Sequence, residues 1–324
     1  MRPVKATLVN QGAAPTSRPY NLKIDSMLGS RSVTLVLRGT KLMARGRTLQ
    51  VAALNISANP HPDGIYVDLL VKAAGKKTNY RGDSWAKFTK PKQVEGDSDL
   101  YVGRILIWTE INKDGAWLND ETDDFLSNEE KSEIQIPDKA KPNYRVFNYL
   151  FRQSTHRLYF EIRNEFSEWL GTTMAQSIFT NLLDRPAARR DIDLTVTVVP
   201  KRGAVSTVLK LPGLRQLHIR VIVPNDTTDE EKRRRVLDRL KKANAKQLDE
   251  IFTKRAGEDR LIATPEIQDT AEIAAENGFV QGVGRSNGKR VEASTTKQPR
   301  KETIPFDQPG ASFHSRLVGS IGFF

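Results

Sequence analysis

The chain predicts an α+β fold: an antiparallel or mixed sheet with helices on one side, with two ferredoxin-like units as the topology that fits. Three observations predict it. Asp191-Ile-Asp-Leu-Thr-Val-Thr-Val-Val199 and Leu214-Arg-Gln-Leu-His-Ile-Arg-Val-Ile-Val223 alternate and are rich in β-branched residues, as strands require. Phe166, Trp169, Leu170, Met174, Ile178 and Leu182 recur at helical spacing. The order β-α-β-β occurs twice, as 49–56, 64–74, 100–110, 144–152 and then as 158–163, 166–184, 192–199, 214–223.

The elements follow from local chemistry. Leu49–Ile56 reads as a strand, and Asn59-Pro-His-Pro-Asp-Gly64 is a turn that its prolines and glycine enforce. Ile65, Leu69, Leu70 and Ala73 mark a helix up to Gly75. Residues 76–98 are polar, with Trp85 and Phe88 as anchors, and Leu100–Glu110 is the next strand. Residues 112–142 are loop-like and acidic from Asn119 to Glu133. Two aromatic strands, Tyr144–Phe151 and Leu158–Ile162, then form a hairpin.

Phe166–Leu182 opens the following helix, and Pro186 ends it. Residues 229–254 read as the longest helix, with a buried stripe of Val236, Leu240, Ala243, Gln247 and Ile251. Thr264-Pro265 starts another helix, with Thr264 as N-cap. Asn287-Gly288 predicts a type I′ hairpin turn. The apolar residues from Leu317 to Phe324 are expected to dock on the domain.

Charge is uneven along the 324 residues. The net charge is +12, yet residues 1–48 hold nine Lys or Arg against a single acid, Asp25. That segment carries +8 and the remainder +4. Residues 1–42 are poor in apolar side chains, so a flexible extension is expected. It is either a basic arm that tracks phosphates or an extension upstream of a true start at Met43. Residues 43–306 are expected to form the α+β domain, with 43–152 and 153–306 as candidate sub-units and 307–324 as a tail. There is no cysteine, which excludes disulfides and thiolate sites and fits a cytoplasmic location. No apolar run approaches the ~18 residues a membrane span needs, so no membrane partner is expected.

Catalytic patterns are sparse. Gly282-Val-Gly-Arg-Ser-Asn-Gly288-Lys289 has one residue too many for a Walker A loop, and Arg290 stands where Ser or Thr must bind the metal. No two of the four histidines have metal-ligand spacing, so no metal site and no cofactor is expected. The remaining catalytic candidates are Asp191 with Asp193, two apart on one strand face, and His61 with Asp63 in the proline turn. Either pair would suit a divalent-ion-dependent nuclease or other hydrolase. Nucleic-acid binding is the better-supported alternative. It rests on the basic face of 229–254, with Arg234, Arg235, Lys242 and Lys246 off the buried stripe.

At Val51-Ala-Ala-Leu-Asn-Ile-Ser-Ala-Asn-Pro-His61, Pro212-Gly-Leu-Arg-Gln-Leu217, Pro224-Asn225 and Ala275-Glu-Asn-Gly-Phe-Val280 the chain resembles an uncharacterised bacterial family. That family is known chiefly as a domain of unknown function, found on mobile elements and in apparent phage-defence islands. The resemblance covers about residues 45–306. It implies an accessory role in an anti-phage setting and nothing about mechanism, and it assigns no catalytic residue; apart from the resemblance, the expected partner is nucleic acid or a protein from neighbouring genes.

Overall fold

A computed structural model describes residues 47–60, 62–222, 231–306 and 313–320. The chain begins with β1 (Arg47–Asn59) and α1 (Ile65–Ala73). Four strands follow: β2 (Thr78–Arg81), β3 (Ser84–Phe88), β4 (Lys92–Val94) and β5 (Asp97–Thr109). The acidic stretch contains the ribbon β6 (Leu118–Asn119) and β7 (Asp124–Phe125), then α2 (Asn128–Glu133). The aromatic hairpin is β8 (Arg145–Arg152) and β9 (Arg157–Arg163). It leads into α3 (Thr172–Ala188) and β10 (Asp193–Val198).

Among the described residues eight of these strands and one from later in the chain build a nine-stranded antiparallel sheet whose main path is β10-β1-β9-β8-β5-β3-β2. Within it, β1-α1-β8-β9-α3-β10 has the spatial order of a ferredoxin-like unit, drawing strands from both sides of residue 152, and β2–β5 extend that sheet. The physical reason for β1's central place is its burial. Every residue from Val51 to Ala58 is buried, so both faces are covered. One face carries Ala52, Leu54 and Ile56 against α1 and α3. The other carries Leu49, Val51 and Ala53 against Leu317 and Ile304.

The second sheet is smaller. After α4 (Ala204–Leu209) come β11 (Gln216–Ile222), α5 (Glu231–Lys242), β12 (Gln247–Thr253) and α6 (Pro265–Glu276). Then follow β13 (Gly278–Ser286) and β14 (Lys289–Ser294). Its order is β12-β11-β13-β14, all antiparallel. One face buries Leu217, Ile219, Val221 and Val280 against Val208, Val236, Leu240 and Ala271 of the helices. The chain then returns to the first sheet with β15 (Lys301–Phe306), which pairs with β1, and α7 (Phe313–Ser320), whose Leu317 is fully buried. Both sheets belong to one unit, Thr48–Phe324.

Several expectations from the sequence are corrected. The helix expected over 229–254 stops at Lys242, and Asn244 turns the chain with φ 47°. Gln247–Thr253 is a strand paired with β11, and Gln247 and Ile251 of the expected stripe are exposed. Leu248 and Phe252 do face the core, because a spacing of four residues keeps one face in a strand as well as in a helix. The helix expected from Phe166 begins only at Thr172 and carries Pro186 in its last turn. The polar stretch 76–98 contains three strands, with Phe88 buried and stacked on Phe179 at 5.3 Å.

Other expectations hold in detail. The Thr264 side chain accepts from the Ile267 N–H as an N-cap. Asn287 (φ 49°) and Gly288 (φ 75°) both adopt the positive φ that a type I′ turn needs.

Candidate nucleic-acid interface

Two of the stretches that carry the family resemblance, the one on β1 and the one at 275–280, meet where the two sheets join, and Pro224-Asn225 lies outside the described residues. Asn55, on β1, is buried and donates from Nδ2 to the Asn277 side-chain oxygen (3.0 Å) and the Glu276 carbonyl (3.2 Å). Thr197 Oγ1 on the neighbouring β10 donates to the same carbonyl at 3.2 Å. Gly278 follows at once, and a Cβ there would stand 1.9 Å from the Arg220 carbonyl oxygen, so only glycine lets β13 lie this close to β11. Gly213 (φ 49°) likewise lets the Pro212-Gly213 corner cross over Arg285. These motifs therefore do structural work.

Among the described residues, the helices cover one face of the second sheet. On the other face, β11 presents His218 and Arg220, β12 presents Asp249 and Ile251, and β13 presents Phe279 and Gln281. His218 Nε2 lies 2.7 Å from Asp249 Oδ1, and Arg220 Nε donates to that same oxygen at 2.8 Å. Gln247 donates to the other carboxylate oxygen at 2.8 Å. Burial alone would raise the Asp249 carboxyl, but the hydrogen bonds from Arg220 and His218 hold it below the usual carboxylate range. Phe279 lies beside this cluster, 4.9 Å from the His218 ring and 5.1 Å from the Arg220 guanidinium. The alternation of His218 and Arg220 was visible in the sequence. Asp249 was not, because its strand read as helix.

The predicted basic residues divide. Arg234, Arg235 and Lys242 are exposed on α5, whose Val236 and Leu240 are buried. Lys246 lies beyond the helix and pairs with Asp193 at 2.7 Å. That contact also involves one of the candidate catalytic carboxylates. Asp191 stands in the turn before β10 with φ 52°, so it does not share a strand face with Asp193, and Asp193 is engaged by Lys246.

His61 lies outside the described residues. Asp63 is exposed at the rim of a cleft of about 330 Å³ that also contains Tyr66, Asp99, Ser154 and His156. The groups around that cleft hold its walls. His156 stacks on Tyr66 at 4.1 Å, and Asp99 accepts from the Ser154 backbone N–H and hydroxyl, each at 2.6 Å. Burial raises the Tyr66 phenol to about 12, offset in part by its hydrogen bond with the Ala58 N–H. The acidic stretch is capped locally by a Ser127–Glu130 capping box. Among the described residues no three His, Asp or Glu side chains are grouped as a metal site needs, and no helix is long and apolar enough to cross a membrane.

A family model described as a domain of unknown function (DUF4747) matches residues 47–318. The chain belongs to this family. No curated protein matches the chain. The DUF4747 match runs from β1 into α7, so it includes both sheets and the buried Asn55–Asn277 contact between them.

Proposed function

We propose that this DUF4747 protein binds nucleic acid through its second sheet and the helices on it, as an accessory component rather than an enzyme. One observation carries the reading: charge is segregated along the folded chain. Residues 200–300 contain 21 Lys or Arg against 14 Asp or Glu, whereas residues 48–199 contain 19 against 22. A polyanion is drawn chiefly to the first of these stretches. Arg234, Arg235, Lys241 and Lys242 stand on the exposed side of α5, a rigid support that loses little entropy on binding. The half-open sheet face with Arg220, His218 and Phe279 offers polar and aromatic groups of the kind that sheet-based RNA-binding modules use. In the phage-defence setting that the sequence resemblance implies, such binding supplies a nucleic-acid contact to a module whose other components come from neighbouring genes.

The test is affinity against salt for the full chain and for a variant with Arg234, Arg235, Lys241 and Lys242 replaced by Ala. Each lost phosphate contact lowers the slope magnitude by about 0.7 for a single strand or about 0.9 for a duplex. Equal slopes would remove α5 from the interface.

A further inference from the structure

The loop between β9 and α3 is built to hold two aromatic rings in solvent. Asn164, which is buried, organises it. Its Oδ1 accepts from the backbone N–H of Phe166 (3.1 Å) and Glu168 (2.9 Å), and its Nδ2 donates to the Val146 carbonyl (3.1 Å) and the Glu168 carboxylate (2.5 Å). The Asn164 N–H donates to the Glu168 carbonyl at 3.1 Å, and the Leu170 N–H closes the loop on Ile162 at 2.8 Å. Ser167 is held at φ 63°, a conformation a serine adopts only when its surroundings impose it. Mobility therefore does not explain why Phe166 is 69% exposed and Trp169 46% exposed. Apolar rings normally leave water, and a loop this well fixed had the means to turn them inward.

Three cationic residues lie near Trp169, while the loop itself carries Glu165 and Glu168. Lys301 Nζ lies 5.2 Å from the centre of the Trp169 ring. Arg145 donates to the Trp169 carbonyl at 3.4 Å, and the exposed Arg163 forms a strand bridge with Trp169. Tyr144, next to Arg145, is 56% exposed. A π-face with cations beside it suits a planar base carrying a phosphate: the ring stacks and the cations meet the charge. A duplex hides its base faces, so the ligand that fits is single-stranded.

We propose that the Phe166–Trp169 loop is a base-stacking platform for single-stranded nucleic acid. The proposal rests on the nucleic-acid reading of the second sheet and adds strand selectivity to it. In this division α5 contributes charge without regard to strandedness, and the loop contributes the preference for unpaired bases. The aromatic pair is missed from sequence because Phe166 and Trp169 fit the apolar stripe of the helix that follows.

The experiment uses the full chain, a labelled oligothymidylate and a duplex of equal length, with affinities read by fluorescence anisotropy at one salt concentration. Trp169→Ala and Phe166→Ala are each expected to weaken single-strand binding about tenfold while leaving duplex binding unchanged. Trp169→Phe, which keeps a π-face, should recover most of the loss. Thermal unfolding and light scattering of each variant monitor fold and oligomeric state. If both Ala variants bind oligothymidylate as the native chain does while the α5 variant loses affinity, the platform is refuted and the charge reading stands. If the Ala variants lose single-strand affinity while the α5 variant does not, the platform stands and the charge reading falls. A native chain that binds no single strand overturns the platform. So does a change from dimer to monomer in the Ala variants with single-strand affinity unaltered, which would make the rings a contact between copies of this chain.

Discussion

Glu161 gives the sharpest physical test of the fold. It lies on β9, 5% exposed, where the ladder between β8 and β9 ends at Tyr149 and Phe160. Asn148, one residue further, has no β9 partner for its backbone N–H, and the Glu161 carboxylate accepts from that N–H and from the Asn148 side-chain amide, each at 3.1 Å. Burial raises the Glu161 carboxyl to about 7; the two bonds from Asn148 offset this in part, and the charge of Glu165 adds to it.

The sign follows from linkage. Between the unfolded value of about 4.5 and the folded value of about 7, the native state holds a proton that the unfolded state has lost. Stability therefore falls as pH rises through that window and stays lower above it. A shift of this size corresponds to about 3 kcal/mol. Glu161→Gln keeps an oxygen acceptor for Asn148 and removes the charge. At pH 8 the variant should be the more stable by up to about 3 kcal/mol, and at pH 4.5 the difference should largely vanish. For a unit of this size that is a rise of roughly 2–4 °C in Tm per kcal/mol. Urea unfolding of both proteins at several pH values from 4.5 to 8 isolates the contribution, because titrating groups that do not interact with Glu161 cancel in the difference. Parallel profiles across that range would refute the shift and mean that Glu161 titrates in the native state as it does in the unfolded chain.

Three further outcomes are expected. Asn55→Ala removes the donor of both bonds to Asn277 and Glu276 in a buried junction, so denaturant titration should show a loss of about 1–3 kcal/mol. Gly278→Ala places a methyl group 1.9 Å from the Arg220 carbonyl oxygen, and a loss of about 3 kcal/mol or more, or failure to fold, is expected from the forced backbone shift. Gly288→Val meets no atom within 4 Å, so only its positive φ resists the side chain, and Tm should report a milder loss of about 1–2 kcal/mol.

What the sequence determined by itself was local. The alternation over 192–199 and 214–223 produced β10 and β11, the Asn287-Gly288 pair closed the hairpin, and Thr264-Pro265 started α6. Each of these depends on contacts within a few residues, so no distant partner was needed to infer them. The α+β class followed from their sum.

Tertiary structure decided the rest. Leu248 and Phe252 satisfy helical and strand periodicity alike, and only pairing with β11 makes their segment a strand. That pairing sets Asp249 opposite Arg220 and so creates the His218–Asp249–Arg220 cluster. Phe166 and Trp169 fit an apolar helical stripe until the buried Asn164 takes up the backbone N–H groups of Phe166 and Glu168 and holds the segment as a loop. Asp191 and Asp193 share a strand face by count alone; the left-handed turn at Asp191 separates them, and a lysine 53 residues away occupies Asp193. In each case the residue types were legible, but a side chain's role depends on which distant element packs against it, and periodicity carries no information about that partner.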